Sequence, residues 1–225
     1  RRLHLRHVRG CGLARLLAAR GRRAAHSRAV VAGHSRPAPG LFVVAILLDV
    51  ALNGDAALML ARERLTPFAA APSLAAPFLA RTLIYGPLPE ELGWRGYALD
   101  RMRSRWGAPA SGLMLGGVWA LWHVPLFFIK DTLFHAQGVG SLWFWLFLIN
   151  VVAFSMVFAW VFENTGRSTL AAIVLHLTAN IAATLGNVTA GVNVFATLLW
   201  ALAAVAAAWT LARHENPNLE REQAA

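Results

Sequence analysis

The sequence predicts an all-α fold, a polytopic transmembrane helical bundle of about six spans, and three observations carry that expectation. First, 57% of the 225 residues are hydrophobic and only 14% are charged, against about 45–50% and about 25% in an ordinary soluble domain. The mean hydropathy of +0.51 points the same way. Second, a bilayer core needs roughly 20 apolar helical residues. Residues 108–129, 141–162, 168–186 and 191–211 reach about that length without one Asp, Glu, Lys or Arg. Third, the formal net charge of +10 is segregated. Ten Arg and no acidic residue fall in residues 1–36, whereas Lys and Arg balance Asp and Glu over the remainder. The basicity belongs to a tail, so a nucleic-acid partner is not expected.

In chain order, residues 1–36 read as a basic, disordered tail, which the pattern also allows to be a transit-like segment or sequence ahead of the true start. Residues 37–214 form the membrane domain and 215–225 a short polar C-terminal tail. The first span, 41–60, carries Asp49, Asn53 and Asp55 at helical spacing. The second, 68–89, contains Arg81 and Pro72, Pro77, Pro87 and Pro89, which predicts a kinked, re-entrant or partly embedded segment. A basic loop at 95–107 with Arg101, Arg103 and Arg105 precedes the third span, and residues 163–167 separate the fourth from the fifth. Cytoplasmic loops are enriched in Lys and Arg, so both termini and the 95–107 segment are expected inside. Trp106, Trp143, Trp145 and Trp209 fit interfacial aromatic belts. One cysteine, Cys11, excludes an intrachain disulfide and Cys-rich metal spacing.

Ionisable residues inside a span are costly and read by default as functional. The four charge-free stretches contain two, His123 and His176. Asn180 follows His176 at i+4, so the two side chains leave one helix face together. Glu91 and Arg95 are also at i, i+4, spaced for an intrahelical ion pair. Glu90 then points roughly 100° away and is left without a local partner. Gly86-Pro87-Leu88-Pro89 interrupts the incoming helix, so a new helix can begin near Glu90, where a carboxylate suits the N-terminal dipole. A carboxylate facing a bundle interior with two imidazoles is the kind of group expected of a general base.

These residues form an ordered trio of motifs. Glu90-Glu91-Leu92-Gly93-Trp94-Arg95 matches E-E-x-x-x-R and continues as Gly96-Tyr97. Trp119-Ala120-Leu121-Trp122-His123 resembles F-x-x-x-H, with Pro125 following, and His176-Leu177-Thr178-Ala179-Asn180 matches H-x-x-x-N. The approach Glu163-Asn164-Thr165-Gly166-Arg167-Ser168-Thr169-Leu170 also fits. Over about residues 68–186 the chain resembles the CPBP family of intramembrane proteases, the type II CAAX prenyl endopeptidases and the bacteriocin-processing or Abi proteins. Trp119 departs from the family's usual Phe, an aromatic-for-aromatic change bearing on packing near His123.

The resemblance implies an intramembrane endopeptidase. By it, Glu90 activates the attacking water with help from His123, His176 and Asn180 stabilise the oxyanion, Glu91 and Arg95 hold the helix in place, and Trp119 is a supporting residue. Peptide hydrolysis needs such a base and such donors. No metal or other cofactor is assigned. Zinc stays open, because Glu90, His123 and His176 could supply a carboxylate and two imidazoles; without an H-E-x-x-H motif, a metal-independent glutamate mechanism is preferred. The expected partners are membrane lipid and a membrane-associated peptide or protein substrate, and the expected location is the bacterial plasma membrane with the active site toward the cytoplasm. The alternatives are a non-catalytic immunity or scaffold protein of the same fold, or a small transporter using Asp49, Asp55 and the histidines.

Overall fold

The structure, a computed structural model, describes residues 37–53, 56–186 and 189–215. The expected basic tail of residues 1–36 lies outside the described residues, as does residue Asp55 and all of the C-terminal tail beyond Glu215. Among the described residues every regular element is helical. The helices are α1 (Pro37–Asn53), α2 (Ala56–Ala70), α3 (Ala75–Ile84), α4 (Pro87–Gly93), α5 (Leu99–His123), α6 (Leu133–Gln137), α7 (Leu142–Asn164), α8 (Thr169–Leu185) and α9 (Ala190–Glu215). The stretch Pro72–Phe128, with Leu142–Asn164 and Ala190–Glu215, is long and apolar enough to cross a membrane, and Val43–Leu52 and Thr169–Leu185 are shorter apolar helices. The protein is an all-α helical membrane bundle.

Its boundaries follow local chemistry. Ser141 and Ser168 cap α7 and α8, each hydroxyl accepting from a backbone N–H three residues on, Phe144 at 3.1 Å and Ala171 at 3.2 Å. Between those helices Gly166 and Arg167 adopt φ of +67° and +63°, reversing the chain after Asn164. The described part of the 41–60 stretch is helical in α1 and α2, with residues 54 and 55 between them outside the described residues. One expectation is corrected. The 95–107 segment is helical up to Trp106 rather than a loop, because nothing before Gly107 opposes a helix rich in Arg. Gly107, at φ +75°, breaks α5 there, and Pro109 falls in the first turn of the resumed helix. The freed amide of Ala108 donates to Glu215 Oε1 at 2.7 Å, so the end of α9 caps the middle of α5.

The proline-rich second segment is broken, as its composition predicts. A single 3₁₀ turn at Pro72–Leu74 leads into α3, α3 ends at Ile84, and Gly86 precedes the new start at Pro87. From α4 the chain runs into α5 through one wider π-type turn, Trp94–Ala98.

The core lies between α5, α7 and α9, with α1 and α8 against it. Gly112 and Gly116, one turn apart on α5, let α7 approach closely. A methyl on Gly116 would meet Ser155 Cβ at 2.9 Å and Val152 Cα at 3.0 Å, and Ser155 Oγ donates to the Gly112 carbonyl at 2.9 Å. Small residues commonly bring membrane helices together in this way. This contact sets the depth and rotation of the C-terminal half of α5, which carries Trp119 and His123. Trp145 and Trp209 are exposed as belt residues would be. Trp143 instead stacks on Phe147, with ring centroids 5.2 Å apart.

Candidate active site

The site is assembled from α4, α5 and α8, with α7 as its floor. Glu91 and Arg95 are fully buried and form the i, i+4 pair, Arg95 Nη1 donating to Glu91 Oε1 at 3.0 Å. The same Oε1 accepts from His176 Nδ1 at 2.8 Å. Glu91 therefore bridges α4 to α8, a contact across 85 residues that helical spacing cannot reveal. The Arg95 guanidinium lies against the rings of both Trp119 and Phe158, 4.6 Å and 4.5 Å from their centroids, the two rings themselves being 5.8 Å apart. Two aromatic faces and a carboxylate offset what an isolated buried cation would cost.

Glu90 leaves the other side of α4 and is half-buried. Its Oε2 accepts from Trp119 Nε1 at 2.8 Å. The departure from Phe at Trp119 is therefore a matter of hydrogen bonding as well as packing, since a Phe ring has no N–H. Trp119 also organises the histidines. Its carbonyl pairs with His123 Nδ1 at 2.8 Å, and its ring lies 5.8 Å from His123 and 5.4 Å from His176. A carbonyl can only accept, so Nδ1 of His123 carries the proton and Nε2 is left as the acceptor. His176, donating through Nδ1 to Glu91, likewise presents Nε2. Asn180 reaches the site from one turn further along α8, with Nδ2 beside Gly86 at the start of α4.

Glu90, His123, His176 and Asn180 are thus brought into one neighbourhood, with Glu91, Arg95 and Trp119 packed among them. Three contributors have no sequence signal of this role. Phe158, inside a largely apolar span, faces both Arg95 and His176, the latter at 5.6 Å. Phe147 lies 5.2 Å from His123. Gly86 reads in the sequence as a helix breaker only.

A zinc site is poorly matched by these side chains. Among the described residues no three His, Cys, Asp or Glu side chains converge as metal ligands, and the Trp119 ring is in contact range of both imidazoles.

A groove of about 410 Å³ opens beside Glu90, walled by Tyr85, Pro89, Trp94, Tyr97 and Trp122. Tyr85, Tyr97 and Trp122 are exposed, and such amphipathic aromatics suit a membrane-facing entrance. Trp94 and Trp122 meet edge to face at 6.2 Å.

A helical membrane bundle with a Glu, two His and an Asn gathered from separate helices defines a class, the intramembrane site built on three short motifs. Residues 72–182 match the family model described as type II CAAX prenyl endopeptidase Rce1-like, the family that the three motifs resemble. The chain is also similar to CAAX prenyl protease 2 of Methanococcus maripaludis, with 32% identity over 93 residues. That alignment covers 41% of this chain and spans 34% of the relative's length.

Proposed function

We propose that the protein is an intramembrane endopeptidase that hydrolyses a peptide bond of a membrane-associated peptide or protein. The observation that carries this reading is the gathering of Glu90, His123 and His176 around Trp119 from three helices. In this reading the Glu90 carboxylate takes a proton from water as the water attacks the scissile carbonyl, and His123 Nε2 assists the transfer. Asn180 Nδ2 faces the oxygen on which negative charge develops, and His176 joins it as a donor in the form that carries a proton on Nε2 as well as on Nδ1. Donors already in place at such a point are worth several kcal/mol in the transition state. The buried Glu91–Arg95 pair holds α4 and orients the His176 ring, as a carboxylate behind a functional imidazole commonly does. The groove beside Glu90 receives an apolar part of the substrate.

Orientation belongs to the same proposal. Arg103 pairs with Glu163 at 3.0 Å and Arg167 pairs with Asp100, which brings the basic residues of the first part of α5 and of the turn after α7 to one end of the bundle. Glu215, two residues beyond Arg213, caps Ala108 at that end too. By the bias of Lys and Arg toward the inner face, this end is cytoplasmic.

A farnesylated CAAX-type peptide is the first probe, chosen because the similar protein is named a CAAX prenyl protease. Wild type, Glu90→Gln and His176→Ala are compared in membranes on this probe and by mapping protein termini across the membrane proteome. Glu90→Gln is expected to lower cleavage by about 10²–10⁴-fold, the usual contribution of a general base, with insertion unchanged. Full activity in either variant would sink the mechanism.

A further inference from the structure

We propose that the reacting atoms are seated over the bare Cα of Gly86, and that Glu90 Oε1 is the oxygen that takes the proton. The inference rests on the endopeptidase reading and adds to it a place, an atom and a residue. Glu90 Oε2 is engaged by the Trp119 indole N–H at 2.8 Å, which leaves Oε1 for chemistry. A side-chain carbon on Gly86 would stand 3.8 Å from Glu90 Oε1, 3.4 Å from Asn180 Nδ2 and 3.7 Å from the carbonyl oxygen of Thr82. A proton acceptor and an amide donor, carried by helices far apart in the sequence, therefore open on the same small volume.

The surroundings of the other buried glycines show that this one is different. At Gly112 a side-chain carbon would meet Ala159 Cβ and the Met156 thioether, and at Gly116 the nearest atoms are Ser155 Cβ and the Val152 backbone, at 2.9–3.1 Å. Those glycines serve close helix packing. At Gly86 all three nearest atoms are polar and none lies closer than 3.4 Å. Helix packing does not require the missing side chain there; room between Glu90 and Asn180 does. Nucleophile activation and oxyanion stabilisation need a point within reach of both groups.

The step balances as follows. Water oxygen bonds to the scissile carbonyl carbon while one of its protons passes to Glu90 Oε1. The carbonyl π pair moves to oxygen, which turns toward Asn180 Nδ2, and the Thr82 carbonyl accepts from the remaining O–H. On collapse the C–N bond breaks, and the proton held by Glu90 passes to the departing nitrogen.

The test is Gly86→Ala in the full chain in lipid nanodiscs, with two probes: the farnesylated peptide, and its analogue with the scissile amide reduced to CH₂–NH. The alanine methyl enters the seat but not the groove. The expected result is a fall in kcat of about 100-fold, the size of losing one well-aimed oxyanion donor. KM and binding of the reduced analogue should stay within about threefold, in the absence of any lost contact worth more than a fraction of a kcal/mol. Gly117→Ala, where a methyl meets nothing within 4 Å, is expected to be fully active. If a lowered melting temperature shows that Gly86→Ala misfolds, Asn180→Gln extends the amide into the seat from the opposite side, and the same kcat-only loss is expected. Wild-type kcat in folded Gly86→Ala, or in Asn180→Gln where Gly86→Ala misfolds, overturns the seat while Glu90→Gln remains dead. Cleavage that survives Glu90→Gln overturns the endopeptidase reading itself.

Discussion

Trp119 shows how much one side chain can organise. Its indole N–H holds Glu90, its carbonyl engages His123, and its ring packs against Arg95 and His176. A Phe in its place would keep most of the ring contacts and lose the N–H. A hydrogen bond to a charged group contributes about 1.5–3 kcal/mol, and each 1.36 kcal/mol is tenfold in rate. If that bond fixes the working rotamer of Glu90, Trp119→Phe lowers kcat by at least about tenfold with little change in KM. Steady-state cleavage of the farnesylated peptide measures both, and an unchanged kcat would reduce Trp119 to packing. Glu91 carries the complementary lesson. Its spacing to Arg95 is visible in the sequence, whereas its bond to His176 depends on how α8 is turned.

At the scale of elements, the site depends on how deeply α5 is set against α7. Gly112 and Gly116 allow the approach, and the Ser155 hydroxyl bonds across it. Adding branched carbons where a single methyl would already lie 2.9 Å from Ser155 Cβ forces the helices apart. Gly116→Val is therefore expected to destabilise the bundle by about 1–3 kcal/mol, the usual cost of overpacking, and to lower activity by displacing Trp119 and His123. Thermal unfolding in detergent, compared with Gly117→Ala on the open side of the same helix, measures the difference; equal melting temperatures would remove the close-packing argument. The break at Gly107 is stabilised from a distance by Glu215. The π-type turn at Trp94–Ala98 contains Arg95, and such widened turns often coincide with functional sites.

For the whole molecule, the ion pairs of Arg103 and Arg167 define one polar end, and α6 with its aromatic neighbours defines the other. Phe134 of α6 meets Phe127, Trp143 and Phe147, so rings pack that end of the bundle, with the exposed Lys130 and Asp131 beside them. The proposed orientation predicts an asymmetric labelling pattern. In a Cys11→Ser background, Arg105→Cys should resist a membrane-impermeant maleimide in intact cells and Val139→Cys should react. The reverse pattern would invert the topology and move the basic end outside.

The helical membrane class, the interrupted second segment and the Glu91–Arg95 pair were all legible in the residues. Each rests on a local rule: apolar run length, proline and glycine breaks, or i, i+4 spacing. The helical course of 95–106 was not. An Arg-rich helix gives a weak local signal that neighbouring elements decide.

The sequence by itself therefore determined that this chain is a helical membrane protein carrying three polar motifs on separate helices, and through those motifs its resemblance to the CPBP proteases. Only the tertiary structure decided that Glu91 supports His176, that Trp119 engages Glu90 and that Gly86 opens a space between Glu90 and Asn180. Spacing along a helix places side chains on a common face, because the backbone hydrogen bonds repeat. Which faces meet across a bundle depends on how closely and at what rotation the helices pack, and here the small residues of α5 make that close approach possible.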